Sequence, residues 1–238
     1  MFCGGRDGSL RLVASSGHPV SFVARMNFDR LAAHYHWLEM LFAGGLMQRC
    51  RIAFLSRTKD CRSALLAGEG TGKFLVALLQ FNPHIKITCV EKSAGMIAQA
   101  RGRLRRERVD GARVEFIQSD ALHWTAPSGA FDLVVTNFFL DCFRADQLQT
   151  LVPRLAGSTT GDAIWLLADF RVPEPGWRRA RAIVVLAGLY AFFKVATSLS
   201  ARWLTPPDDL LKVAGFELVD RRLASFGLAH ADFWRRTI

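Results

Sequence analysis

Three glycines and two acids carry most of the chemistry in this sequence. Gly68, Gly70 and Gly72 alternate with Glu69 and Thr71, after the apolar run Ala64-Leu65-Leu66-Ala67 and ahead of Lys73-Phe74-Leu75. Glycine reaches backbone conformations that a Cβ forbids, so such a turn lets the main chain pass close to a ligand. Roughly twenty residues beyond the first glycine, a second apolar run ends on Glu91, an acid placed to accept both hydroxyls of a ribose. The pair makes a site for an adenosine-containing cofactor. Two well-known phosphate cradles do not fit. A P-loop needs G-x-x-x-x-G-K-[ST], and here Ala67 stands at its first glycine and Phe74 at its Ser/Thr. The dinucleotide fingerprint G-x-G-x-x-G meets Lys73 where its third glycine belongs.

The chain beyond the glycines narrows the cofactor. Lys86-Ile-Thr-Cys-Val-Glu91-Lys92 reads as a strand ending in an acid, with Met96 in the opening of the next helix. Val114-Glu-Phe-Ile-Gln-Ser-Asp120-Ala121 is a further strand with an acid at its end. Phe131-Asp-Leu-Val-Val-Thr-Asn137-Phe138-Phe139, Ala163-Ile-Trp-Leu-Leu-Ala-Asp169 and Gly215-Phe-Glu-Leu-Val read as three more. In its G-x-G-x-G spacing and in the order of these motifs, the chain resembles the class I S-adenosylmethionine (SAM)-dependent methyltransferases. The resemblance runs over residues 28–235, nearly the whole chain.

That resemblance implies a set of roles. Backbone around Gly68, Glu69, Gly70, Thr71 and Gly72 would approach the cofactor. Glu91 and Lys92 would lie at the ribose, and Met96 would pack on adenine. Asp120 and Ala121 would face the adenine amino group, and Asn137 and Phe138 the cofactor's reactive end. One departure stands out: the family's first strand carries an acid two residues before the first glycine, where this chain has Leu66. Glu69, inside the loop, is the carboxylate able to substitute, with a solvated turn residue as the alternative. The chemistry asks little of the protein, because the cofactor is already electrophilic. A phenol, hydroxyl or carbon acid as acceptor needs a base. Asp141 and His36 are the candidates, Asp141 being equally suited to capping the next helix. Asn137-Phe-Phe-Leu lacks both prolines of the N-P-P-[YF] loop, which argues against methylation of base or glutamine amino groups.

The elements that position these residues alternate strand and helix from 63 to 170, so a parallel sheet with right-handed crossovers is expected. The fold class is α/β: a three-layer αβα sandwich around a seven-stranded, mostly parallel sheet, with an antiparallel C-terminal strand and added N-terminal helices. Asn82-Pro83 ends the first crossover helix. The second, about Ala94 to Arg108, is strongly basic, a solvated face or an attraction to anions. Residues 1–25 read as a loose tail, with Met26 an alternative start, and 26–238 as one domain. Phe28, Leu31, Tyr35, Leu38 and Phe42 recur at helical spacing after Asn27. Residues 174–204 read as a helical stretch, aromatic through Trp177, Tyr190, Phe192, Phe193 and Trp203, which the resemblance implies to be an insert or lid near the acceptor site and which a plain core helix would equally explain. Its uninterrupted apolar stretch is too short to span a bilayer.

Composition agrees with a folded enzyme. Half of the 238 residues are apolar, which excludes global disorder. Five scattered cysteines give neither a disulfide framework nor a zinc site, and they suit a reducing, cytoplasmic setting. The expected function is SAM-dependent methyl transfer to a small, apolar or aromatic acceptor. A formal charge of +10 suits peripheral contact with an anionic membrane, nucleic acid being less favoured. Two other readings remain open at this point. One is a nicotinamide-dependent oxidoreductase, since the Glu91 spacing serves both cofactors. The other is a basic binding protein that keeps the fold without catalysis, consistent with the lost acid at Leu66.

Overall fold

The computed structural model describes residues 44–186 and 204–237. The N-terminal tail, the helix expected from Asn27 with His36, and the insert residues Tyr190, Phe192, Phe193 and Trp203 lie outside them. Seven strands form one sheet: β1 (Ser63–Ala67), β2 (Lys86–Glu91), β3 (Val114–Gln118), β4 (Phe131–Asn137), β5 (Thr159–Phe170), β6 (Phe216–Ala224) and β7 (Ala229–Arg236). The helices are α1 (Gly44–Ile52), α2 (Lys73–Phe81), α3 (Ala94–Arg106), α4 (Ala145–Gly157), α5 (residues 177–186) and α6 (Asp208–Val213).

The spatial order is β3-β2-β1-β4-β5-β7-β6. β1 to β5 pair in parallel, and β7 pairs antiparallel with both β5 and β6. The antiparallel strand is therefore one place in from the border, and β6 forms the border itself. α3 stops at Arg106 rather than Arg108.

Strands buried on both faces need apolar residues at every position. β1 shows this: Leu65 and Leu66 are both buried and point to opposite faces. Leu66 joins Phe74, Leu75, Leu78, Ile87, Val135 and Phe233 in one core, with α2 packed on it. Leu65 joins Val134, Leu148, Leu151, Trp165 and Trp234 in the other, beneath α4. Helices on both faces make the three layers. Asn82 closes α2: its side-chain amide donates to the carbonyls of Thr58 at 3.0 Å and Cys61 at 2.9 Å. Pro83 then keeps the chain from continuing as helix.

Candidate active site

β1 lies between β2 and β4, so the crossovers leave it in opposite directions and the loops part above its C-terminal end. Such a point is where open α/β sheets bind ligands. The glycine loop, Glu91, Asp120 and Asn137 all emerge there. β7 runs the other way, which brings its first residues, Ala229 and His230, to the same end.

The three glycines serve three different needs. All have positive φ, at +66°, +67° and +80°. A Cβ on Gly68 would drive into the Phe139 ring, and one on Gly72 would come within 2.9 Å of the Ala100 Cα in α3. A Cβ on Gly70 would meet nothing within 4 Å. Gly70 is therefore the glycine that opens toward a ligand. Its N–H donates to Glu91 Oε2 at 3.2 Å, and the Ser93 N–H donates to Glu91 Oε1 at 2.9 Å. Burial raises the Glu91 carboxyl above its ordinary value against these donors.

Leu66 is buried in the core, so β1 brings no carboxylate to the loop. Glu69 does so instead. Its Oε1 accepts from the N–H of Phe74 at 3.0 Å and of Leu75 at 2.9 Å, two first-turn amides of α2 that have no partner within the helix. Burial pushes this carboxyl up to about 7 despite those bonds and the nearby Arg51. Thr71 is fixed through its carbonyl, which accepts from Arg103 Nε at 2.9 Å. One arginine of the basic helix thus braces the loop, and another, Arg101, lies over the Phe116 ring.

Asp120 lies just past the end of β3. Its Oδ1 accepts from the Leu122 N–H at 3.0 Å, and its Oδ2 pairs with Lys92 Nζ at 2.9 Å. Burial raises this carboxyl, but the Lys92 ammonium and the Leu122 amide outweigh it and the net displacement is downward. Ala121 and Met96 are buried, and the Met96 N–H donates to Ser93 Oγ, the N-cap of α3. Asn137 ends β4 buried, with its Nδ2 lacking a hydrogen-bond partner among the described residues. Phe138 comes next at φ +53°, packed on Phe170 and beneath Arg51. Acids at the tips of β2 and β3, an open face at Gly70 and an unpaired buried donor at Asn137 together fit a cofactor with a ribose, an amino-bearing base and a polar tail.

A second group of ionisable side chains lies alongside. Asp141 sits in a 3-10 turn, Leu140–Cys142, and is buried. The helix after it has Arg144 at the N-cap position, whose backbone N–H donates to Gln147 Oε1 at 3.0 Å, so Asp141 is not its cap. Asp169, near the end of β5, accepts the Phe139 N–H at 3.2 Å and is buried too. Burial raises the Asp141 carboxyl to about 6, and burial together with Asp141 raises Asp169 well above its ordinary range. His230, Asp232 and Arg221 complete the group. The sequence marks none of these three, because they meet Asp169 only through the pairing of β7 with β5 and β6. His36 lies outside the described residues, and among those residues no cluster of metal-ligating side chains occurs.

Comparison with known proteins decides the family. A family model described as a methyltransferase domain matches residues 64–160. A demethylmenaquinone methyltransferase of Roseiflexus castenholzii is 30% identical over 226 residues, covering 87% of this chain and 90% of its own. The chain belongs to the class I SAM-dependent methyltransferases. Solved structures share the fold of this methyltransferase. The 1,6-didemethyltoxoflavin-N1-methyltransferase of Burkholderia thailandensis, with S-adenosylhomocysteine bound, aligns with a TM-score of 0.65 at 18% identity, over 95% of this chain and 94% of that one. The magnesium protoporphyrin IX methyltransferase of Synechocystis, also with S-adenosylhomocysteine, aligns at 0.63 and 17%, over 88% and 94%. SAM is accordingly the cofactor of the methyltransferase, in place of a nicotinamide dinucleotide.

Proposed function

We propose that this methyltransferase methylates an oxygen or an acidic carbon of a small, lipophilic ring, with a reduced quinone as the best-fitting class. The observation that carries the reading is Asp141, a buried carboxyl with a proton affinity near neutrality, close in sequence to Asn137 and Phe138. Such a group suits general-base catalysis of an acceptor that must lose a proton. The similarity to a demethylmenaquinone methyltransferase over most of both chains supports a quinone-like ring.

When bound, SAM supplies an electrophilic methyl group. The chain's own residues then hold and orient. Glu91 takes the ribose hydroxyls with Lys92 beside it. Met96 and Ala121 flank adenine, and Asp120 accepts from its amino group. The Gly68–Gly72 loop, with Glu69 and Thr71, passes along the cofactor, and Asn137 and Phe138 meet its polar tail and reactive end. Asp141 accepts the acceptor's proton; His36 is the second candidate base. The domain reading, a tail over 1–25 and one domain over 26–238 with an acceptor-side insert at 174–204, is part of this proposal. So is a cytoplasmic setting with contact to an anionic membrane surface rather than to nucleic acid. The free, mostly buried cysteines 50, 61, 89 and 142 support a reducing compartment.

Calorimetric titration with S-adenosylhomocysteine tests the cofactor site. Glu91→Ala and Asp120→Ala each weaken binding by about 1–3 kcal/mol, since each leaves ligand donors unpaired. Transfer of labelled methyl from SAM to a short-chain demethylmenaquinone, reduced with dithionite, tests the acceptor. Transfer that Asp141→Asn cuts by about a hundredfold or more supports the reading. Equal transfer by wild type and Asp141→Asn, or affinity unchanged in both cofactor-site variants, overturns it.

A further inference from the structure

β3 is the border strand on the side of the sheet away from β6, and it pairs with β2 alone. The Arg113 carbonyl accepts from the Ile87 N–H at 2.9 Å, and the Ser119 N–H donates to the Glu91 carbonyl at 3.2 Å. Main-chain groups alternate sides along a strand, so residues 113, 115, 117 and 119 turn theirs to β2, while Phe116 and Gln118 turn theirs outward. Border strands usually carry charges or bulges that block further pairing. β6 has both, a bulge between Leu218 and Asp220 and the charged run Asp220-Arg221-Arg222. β3 has no bulge: its register with β2 is unbroken from Val114 to Gln118, and Glu115 is its one charge.

A groove of about 530 Å³ lies between α3 and β3, lined by Ala94, Ala98, Arg101, Arg105, Phe116 and Gln118 among others. The four α3 residues recur at helical spacing on one face. Phe116 packs on the core, and the Arg101 guanidinium lies 5.1 Å from its ring centroid. Arg101 and Arg105 are exposed, and among the described residues neither pairs with an acid. Arg103, by contrast, is committed to the Thr71 carbonyl. Two spacings match along this groove. Four residues of helix rise about 6 Å, which separates Arg101 from Arg105 along α3. Two residues of an extended chain rise about 6.7 Å, and side chains two apart share a face. An extended segment with acids at alternate positions therefore presents a carboxylate to each arginine. Its main chain, at the ordinary strand separation of about 4.8 Å, meets the outward groups of Phe116 and Gln118. A nucleic-acid backbone or a lipid headgroup would satisfy the arginines and leave those main-chain groups without a partner.

We propose that the free edge of β3, with Arg101 and Arg105, docks an extended acidic segment of a partner protein as an added strand of the sheet. Main-chain hydrogen bonds supply the affinity, and the two arginines select acidic side chains. Nothing in this docking depends on which acceptor is methylated.

Calorimetric titration of the full-length protein with a short capped peptide that alternates glutamate with valine tests it. Two further peptides carry N-methyl groups on the glutamate amides or on the valine amides. A strand bonded along one edge uses alternate amides, so only one of these two loses binding, while the other keeps it. Arg101→Glu combined with Arg105→Glu weakens the unmethylated peptide about tenfold or more, two attractions having become repulsions. The same variant keeps its S-adenosylhomocysteine affinity, because Arg103 still braces the glycine loop. Amide exchange followed by NMR slows at Phe116 and Gln118 when the peptide binds and stays as it was at Glu115 and Ile117, which already face β2. Equal binding of both methylated peptides, or none by the unmethylated one, overturns the proposal, even if the charge-reversed variant fails to fold. So does displacement of the peptide by a single-stranded oligonucleotide or by phosphatidylglycerol vesicles with no change at Phe116 and Gln118, which would make the face a surface for anions alone.

Discussion

Glu69 shows how one residue changes what a familiar loop requires. With Leu66 committed to the core, the loop's fixed carboxylate comes from inside the turn and is satisfied by two amides of α2. An acid four positions ahead of a helix is visible in the sequence; its desolvation is not, because that depends on residues far along the chain, Arg51 among them. The desolvation has a pH signature. The carboxyl rises from 4.5 to about 7, chiefly by burial. The folded chain then binds this proton more tightly than the unfolded chain does. The associated stability is complete below the unfolded value and is lost as pH rises through the folded one. Glu69→Gln keeps an oxygen for the two amides and has no proton to lose. Its stability should therefore rise relative to wild type by something on the order of 2 kcal/mol from about pH 5 to pH 8. Paired urea titrations measure this, and a difference that stays flat with pH would mean that the carboxyl is solvated.

At the scale of elements, α2 and α3 meet through a glycine. Gly72 ends the loop at φ +80° with the Ala100 backbone of α3 against it, while Gly70, at a similar φ, faces open space. Gly72→Ala meets both a disfavoured conformation and a main-chain clash, so it should lower stability by about 3 kcal/mol or more. Gly70→Ala meets the conformation alone and should cost about 1–2 kcal/mol. It should nevertheless weaken S-adenosylhomocysteine binding beyond its effect on stability, since it fills the open face and disturbs the amide on Glu91. Thermal melting and calorimetry on the two variants separate these effects; equal melting shifts would show that α3 gives way at Ala100. The glycine spacing and the acid-ended strands were readable from sequence because a parallel strand is a continuous apolar run and its tip is where polarity returns. The division of labour among the glycines was not readable, since Phe139 and Ala100 lie far along the chain. The same reason hides His230 and Asp232: only the placing of β7 between β5 and β6 brings them beside Asp169.

At the scale of the whole molecule, the excess of basic charge is unevenly used. Arg103, Arg221 and Arg236 spend theirs on the Thr71 carbonyl, on Asp232 and on the Ala156 carbonyl. Arg178 and Arg181 of α5 lie over an exposed aromatic face, Arg181 also donating to the Ser225 carbonyl at 3.2 Å. Trp177 is 62% exposed, Phe226 60% and Val184 72%. The two rings lie 5.5 Å apart, with Arg178 over one and Arg181 over the other. Among the described residues no helix is long and apolar enough to cross a bilayer, so membrane contact through this helix would be peripheral. Aromatic and basic side chains mixed on one exposed face, with Trp177 from α5 and Phe226 from the turn before β7, match an anionic interface, where the rings bury at the headgroup boundary and each cation adds about 1 kcal/mol. A lipophilic acceptor would then be met where it dissolves. Co-sedimentation should show binding to vesicles rich in phosphatidylglycerol and little to pure phosphatidylcholine, with release as salt is raised to about 0.5 M, where the Debye length shrinks to a few ångströms. Arg178→Glu and Trp177→Ala should each release the protein while leaving S-adenosylhomocysteine affinity intact. Binding that persists in both variants would place the membrane contact, and with it the entry of the acceptor, on another face.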